Sequence, residues 1–141
     1  MKTISKVRLQ MIKENTIDYN EKITEPGDIL RFLDSKECYN MRSEETVVLI
    51  ILNAKNEVIA YSEISRGGVN FSYLDIPTIF KYIFVCNGSR FILCHNHPSG
   101  DAKPSSIDLQ MTDRIKEASK IMQLDFLDHI VIGDDDYYSI L

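Results

Sequence analysis

Apolar and polar positions alternate with a period of two from Thr3 to Lys13, with Val7, Leu9 and Met11 on one face and Arg8 and Gln10 on the other. The alternation predicts an amphipathic strand, at a sheet edge or covered on one side. A polar stretch over 14–25 follows. Pro26 then marks a helix start, and Ile29, Leu30 and Leu33 at helical spacing carry the helix to about Lys36. TVVLIIL (46–52) is continuously apolar and rich in β-branched residues, the pattern of a strand buried on both faces. NAKN turns it into a second strand, EVIAYSEIS (57–65), giving a hairpin. After the loop RGGVNFSYLD (66–75), Ile76, Ile79, Phe80 and Ile83 predict a helix closed by Asn87-Gly88. RFILC (90–94) is a short apolar strand. A long helix starts at Ser105 or Ser106, with Ile107, Met111, Ile115, Ala118 and Met122 as its expected apolar stripe. DFLDHIVIG and YYSIL read as two closing strands around a turn at Gly133–Asp136. The order β-α-β-β-α-β-α-β-β predicts an α/β fold, a mixed β-sheet packed with helices.

Composition sharpens this picture only modestly. The chain has 141 residues, 44% of them hydrophobic, which suits one domain with one core, expected over 1–141 with 1–25 as an N-terminal strand extension. The amino terminus MKTISKVRLQ lacks the apolar run of a signal peptide, and the longest aliphatic run, Val47–Leu52, is too short to span a bilayer. A cytoplasmic location with no membrane association is the expectation. Cys38, Cys86 and Cys94 are odd in number and form no C-x-x-C, so buried free thiols are expected instead of a disulfide framework. The net charge is −5 and the 16 Lys and Arg are scattered singly, which argues against a duplex-DNA footprint.

Candidate chemistry gathers in HNHPSGDAKPSSID (95–108). Side chains two apart on a strand point the same way, so His95 and His97 share one side while Cys94 and Asn96 face the other. Pro98 ends the strand, and Ser99-Gly100-Asp101 supplies turn chemistry. The next helix then carries Asp108 in its first turn. Two imidazoles and one carboxylate, with a fourth tetrahedral position left to water, form the donor set of a catalytic zinc. Such an ion lowers the pKa of its water from 15.7 toward roughly 7. A hydrolase also needs a carboxylate to carry the proton and a donor for the oxyanion. Ser105-x-x-Asp108 is equally a capping-box pattern, in which Asp108 only satisfies a backbone N–H.

His95-Asn96-His97-Pro98-Ser99-Gly100, followed by Pro104-Ser105 and Asp108, resembles the JAMM metal motif of JAB/MPN metalloproteases in the form carried by RadC-like proteins. Leu127–Gly133 resembles the family's last long strand, and the hairpin from Glu45 through Ile59 its first. The resemblance covers roughly residues 25–141 and is strongest over 91–133. It implies a cytidine-deaminase-like sandwich and one zinc per chain, held by His95, His97 and Asp108. It further implies Ser105 as the serine that supports the oxyanion or the bound water. The general acid/base falls on Glu45, with Glu44 as the alternative. The chain departs from the family in two respects. It has no room for the N-terminal helix-hairpin-helix segment many members carry, so DNA contact through that segment is not expected. It also has Ile76-Pro77-Thr78 where members commonly show Pro-Arg-Glu, which puts substrate preference in doubt.

Other residues read more simply. His129, flanked by Ile130 and Ile132, is expected to support the ligands from behind and not to be a fourth ligand. Ser99, in the turn after the ligands, is a second such support. Cys94 belongs to the core, Asp134–Asp136 to a solvated turn, and the Gly67-Gly68 loop lacks the pattern of a phosphate cradle. Three function classes follow. The first is a zinc hydrolase of peptide, isopeptide or related amide bonds, with a peptide or protein substrate and Glu45 and Ser105 as catalytic residues. The second is a nucleic-acid-associated or DNA-repair protein of RadC type. The third is a non-catalytic interaction module that retains the fold.

Overall fold

The computed structural model describes residues 1–14, 22–36, 43–66 and 74–141. Among them the elements run α1 (Pro26–Lys36), β1 (Thr46–Leu52), β2 (Val58–Arg66), α2 (Ile76–Val85), β3 (Arg90–Asn96), α3 (Ser106–Ile121), β4 (Asp125–Ile132) and β5 (Tyr137–Ser139). The strands form one mixed sheet in the order β2-β1-β3-β4-β5. β1 pairs antiparallel with β2 and β3, β3 parallel with β4, and β4 antiparallel with β5. The antiparallel neighbours β1 and β2 need only a tight turn, in which Asn53 Oδ1 accepts from the backbone N–H groups of Lys55 and Glu57. The parallel pair requires a crossover, and α3 provides it.

Both faces of the central strands are covered, as their unbroken apolar sequences require. Val48, Ile50 and Leu52 of β1, with Ile92 and Cys94 of β3 and Ile130 and Ile132 of β4, pack under Ile29, Phe32 and Leu33 of α1. Val47, Leu49 and Ile51, with Phe91 and Leu93, pack against Ile79, Phe80 and Ile83 of α2 and Met111 and Ile115 of α3. The result is a three-layer α/β arrangement with α1 on one face and α2 and α3 on the other. Asp128 fastens the last strand: its carboxylate accepts from the backbone N–H of Leu141 at 3.1 Å and from the Ser139 hydroxyl. No described helix is long and apolar enough to cross a membrane.

Three expectations are corrected. Residues 1–14 contain no strand, and Ile4, Val7, Leu9 and Ile12 are exposed. An alternating stretch becomes a strand only where a sheet edge supplies backbone partners. This one lies beside helix α2, which has none to offer: Met11 Sδ is 3.7 Å from Cys86 Sγ, and Leu9 borders a hollow lined by Phe80 and Phe84. The inward stripe of α3 is Asp108, Met111, Thr112, Ile115 and Ser119, whereas Ile107 and Met122 are exposed. Cys94 is buried as expected, but Cys86 is only half-buried. Cys38 and the Gly67-Gly68 loop lie outside the described residues.

Candidate metal centre

The end of β3 sits in the middle of the sheet, between β1 and β4, so His95 is in register with Val47 on one side and Val131 on the other and is 1% exposed. His97 lies one step beyond the strand, yet its backbone N–H still donates to Ile132 O at 2.9 Å. The chain then turns sharply. Gly100 N–H donates to His97 O at 2.9 Å, and Gly100 adopts φ +88°, a conformation that glycine takes without steric cost. The turn packs on the β4–β5 connection, where Asp134 N–H donates to Gly100 O at 3.0 Å. From there the chain reaches Ser105, the N-cap of α3, and Asp108 in the helix's first turn.

Four side chains converge at this point: Glu45, His95, His97 and Asp108 offer ligand atoms that all lie within 4.8 Å of one another. Three of them form a near-equilateral triangle. His95 Nε2 is 3.1 Å from His97 Nε2 and 3.3 Å from Asp108 Oδ2, and His97 Nε2 is 3.2 Å from the same oxygen. A tetrahedral zinc with ligands at about 2.0–2.1 Å separates them by about 3.3–3.4 Å. The triangle therefore has nearly the dimensions of one face of a zinc coordination tetrahedron, and the group fits a metal ion. Glu45 stands off this face, with Oε1 3.8 Å from His95 Nε2.

The electrostatics are those of a cation site. Burial alone would raise the Asp108 carboxyl, but the neighbouring His95 and His97 imidazoles and the Ser105 backbone N–H outweigh it and hold Asp108 well below the usual carboxylate range. The hydrogen bond to Asp108 raises His97 above the ordinary imidazole value, against the opposing effect of burial. Burial pushes Glu45 up, and the charges of His95 and His97 only partly offset this. Glu45 thus holds a proton more readily than an ordinary carboxyl, while Asp108 remains an anion.

Two polar groups hold the site from behind. His129 on β4 is completely buried, with Nε2 2.7 Å from His95 Nδ1 and Nδ1 2.6 Å from Thr112 Oγ1 on α3. Burial pushes its pKa down to about 3, and the His95 charge acts in the same direction. On the opposite face of the sheet, Asn96 Oδ1 accepts from Thr46 N–H at 2.7 Å and its Nδ2 donates to Glu44 O at 3.0 Å. This buried amide grips the backbone on either side of Glu45 and so sets where the carboxylate enters the site.

The sequence-predicted residues can now be placed. His95, His97 and Asp108 come together, and Glu45 joins them; Glu44 is exposed and meets Asn96 through its carbonyl. Ser105 and Asp108 also make the full capping box, Ser105 Oγ accepting from Asp108 N–H at 3.1 Å while Ser105 N–H donates to Asp108 Oδ2 at 2.9 Å. The cap and the ligand reading are two uses of one carboxylate. His129 Nε2 lies against His95 Nδ1. Ser99 does not reach the group: it is exposed, and its Oγ accepts from Asp101 N–H within the turn. His97 is instead supported by the Asp101 carbonyl, 2.8 Å from its Nδ1. Thr112 and Asn96 were not anticipated. The one available signal was their being polar at positions whose periodicity points inward.

Residues 23–141 match the family model described as the RadC-like JAB domain. A UPF0758 protein of Clostridium perfringens (strain ATCC 13124) is 39% identical over 119 residues, covering 84% of this chain and 52% of that protein. A UPF0758 protein of Staphylococcus haemolyticus is 38% identical over 126 residues, 88% of this chain and 54% of its own length. One of Clostridium acetobutylicum is 40% identical over 119 residues, 84% and 51% of the two chains. The chain spans about half the length of the curated relatives it matches. With a matched region that runs from Ile23 through the whole sheet and every residue of the His95–Asp108 cluster, the chain belongs to the RadC-like JAB domain family.

Proposed function

We propose that this domain is a zinc-dependent hydrolase of amide bonds in peptides or isopeptides. The observation that carries the reading is the zinc-sized triangle of His95 Nε2, His97 Nε2 and Asp108 Oδ2, with a separate carboxyl, Glu45, beside it. A bound zinc supplies Lewis acidity, which polarises a carbonyl and brings the pKa of water down to about 7. His95, His97 and Asp108 would hold the ion, with the Glu45 carboxyl beside them. Glu45 takes a proton from water on attack and returns it to the leaving amine, a double role suited to a carboxyl whose pKa burial has raised. Ser105 Oγ already accepts the Asp108 N–H, so its own hydrogen is available to an oxyanion at the exposed helix start.

Metal content of the purified protein, measured beside His97→Ala and Asp108→Asn, tests the reading. One zinc per chain in the wild type and loss from both folded variants is expected; equal zinc in all three removes the site. Glu45→Gln is expected to retain zinc and to lose hydrolysis of peptide and isopeptide substrates. Glu44→Gln is expected to retain both.

A further inference from the structure

Two imidazole nitrogens of the cluster face each other at 3.1 Å, and metal binding requires both to be free of hydrogen. For His97 the reason is local. Its Nδ1 lies 2.8 Å from the Asp101 carbonyl, which only accepts, so Nδ1 carries a hydrogen and Nε2 is the nitrogen turned toward Asp108 and the cluster. At His95 the contact through Nδ1 is of another kind. Its partner there is another imidazole, His129 Nε2 at 2.7 Å, and a hydrogen between two such nitrogens can belong to either.

The ambiguity is resolved one step further on. Thr112 Oγ1 is 2.7 Å from the carbonyl of Asp108 and 2.6 Å from His129 Nδ1. Two oxygens at that separation need a hydrogen between them, and only the hydroxyl has one to give. Thr112 therefore donates to Asp108 O and must accept from His129, which places hydrogen on His129 Nδ1 and leaves its Nε2 bare. His129 Nε2 in turn accepts from His95 Nδ1–H, and His95 Nε2 is left as the acceptor in the cluster. The opposite sense would put hydrogen on His95 Nε2, where a metal must bind. It would also direct the Thr112 hydrogen at His129 and leave two oxygens in close contact with nothing between them.

We infer that Thr112 and His129 are positioning residues: a one-way hydrogen-bond chain, Thr112 to His129 to His95, holds His95 in the tautomer that presents a bare Nε2 to the metal. The inference rests on the proposed metal site. The chain begins and ends on the first turn of α3, since Asp108 supplies both the carbonyl that orients Thr112 and the carboxylate that meets His95. The helix that delivers one ligand thus sets the tautomer of another.

Long-range proton–nitrogen NMR of the metal-free protein with labelled histidine reads the tautomers directly. Hydrogen on Nδ1 of both His95 and His129 is expected. Thr112→Val keeps the shape and removes the hydroxyl; it is expected to shift His95 toward the Nε2–H form and to weaken zinc binding about 10–100-fold. Thr112→Ser is expected to restore both. Hydrogen on His95 Nε2 in the wild type overturns the inference, as does either readout unmoved in folded Thr112→Val. If Thr112→Val does not fold, the wild-type tautomer decides. A wild type with the expected tautomers that takes up no zinc sinks the metal reading while leaving the hydrogen-bond chain established.

Discussion

Asn96 and Thr46 are 50 residues apart in sequence and 2.7 Å apart at Oδ1 and N, a buried contact that ties the strand carrying His95 to the residue after Glu45. The same amide donates to the carbonyl of Glu44. Period-two geometry explains why Asn96 can do this: being between His95 and His97 in sequence, it points away from them, toward the face from which Glu45 must be held. Removing it takes a hydrogen-bond partner from each of these two backbone groups, and a buried group that loses one costs about 1–3 kcal/mol. Asn96→Ala is expected to lower stability to urea by an amount of that order. It should change zinc affinity far less than His97→Ala does, while hydrolysis falls with the misplaced Glu45. Unchanged hydrolysis in a folded Asn96→Ala would show that Glu45 needs no such clamp.

Zinc should stabilise the fold, because the three donor atoms come from β3 and from α3 and are brought together only by the native structure. A ligand at 100 times its Kd adds about 2.7 kcal/mol. For a domain of this size that corresponds to a rise in Tm of roughly 5–15 °C. Thermal melts with and without a chelator are expected to differ by about this much in the wild type and hardly at all in His97→Ala.

Acid sensitivity of the metal-free protein should be traceable to His129. Its folded pKa, pushed down to about 3 by burial, lies below the ordinary 6.5. The unfolded chain therefore binds the extra proton first. Stability is fully present above pH 6.5 and is lost as pH falls from there toward about 3, with a slope of at most about 1.4 kcal/mol per pH unit for this one group. Glu45, raised by burial, works with the opposite sign, and His97, also raised, loses its contribution as pH rises above 6.5. Both groups are present in the wild type and in His129→Gln alike. Urea midpoints between about pH 6.5 and pH 5 are expected to fall more steeply in the wild type than in His129→Gln. Parallel slopes would mean that His129 is protonated in the folded state.

Much of this architecture was legible in the chain because its signals are local. TVVLIIL and RFILC announce strands buried on both faces, and Ser105-x-x-Asp108 announces a helix start; all three are found where expected. The N-terminal alternation misled because a strand needs a second strand to pair with, and Leu9 and Met11 have a helix beside them instead of an edge. The α3 stripe was read as rotated by one position because hydrophobicity alone hides inward polar residues. Asp108, Thr112 and Ser119 are buried with partners: the histidines, His129 and the Ile115 carbonyl. The grouping of His95, His97 and Asp108 was legible at a spacing of two and eleven residues. Asn96 to Thr46 and Thr112 to His129 were not, since contacts between separate elements are written in topology and not in spacing.

The ligand turn itself should be the most substitution-sensitive backbone near the site. A Cβ on Gly133 would lie 2.5 Å from Gly100 O and 2.5 Å from Asp136 Oδ1. The first of these is backbone of the turn that carries the chain from His97 to Ser105, and it cannot yield without moving that turn. Gly133→Ala adds only a methyl group. Yet it should push Gly100 away from β4 and weaken the Asp134 N–H bond to Gly100 O. Overpacking of this kind costs about 1–3 kcal/mol. Because His97 is held by the same turn, through Gly100 N–H on its carbonyl and the Asp101 carbonyl on its Nδ1, zinc affinity should fall together with stability. An exposed control, Asp135→Ala, should change neither. Full zinc affinity in a destabilised Gly133→Ala would show that His97 is positioned by β3 alone, without help from the turn.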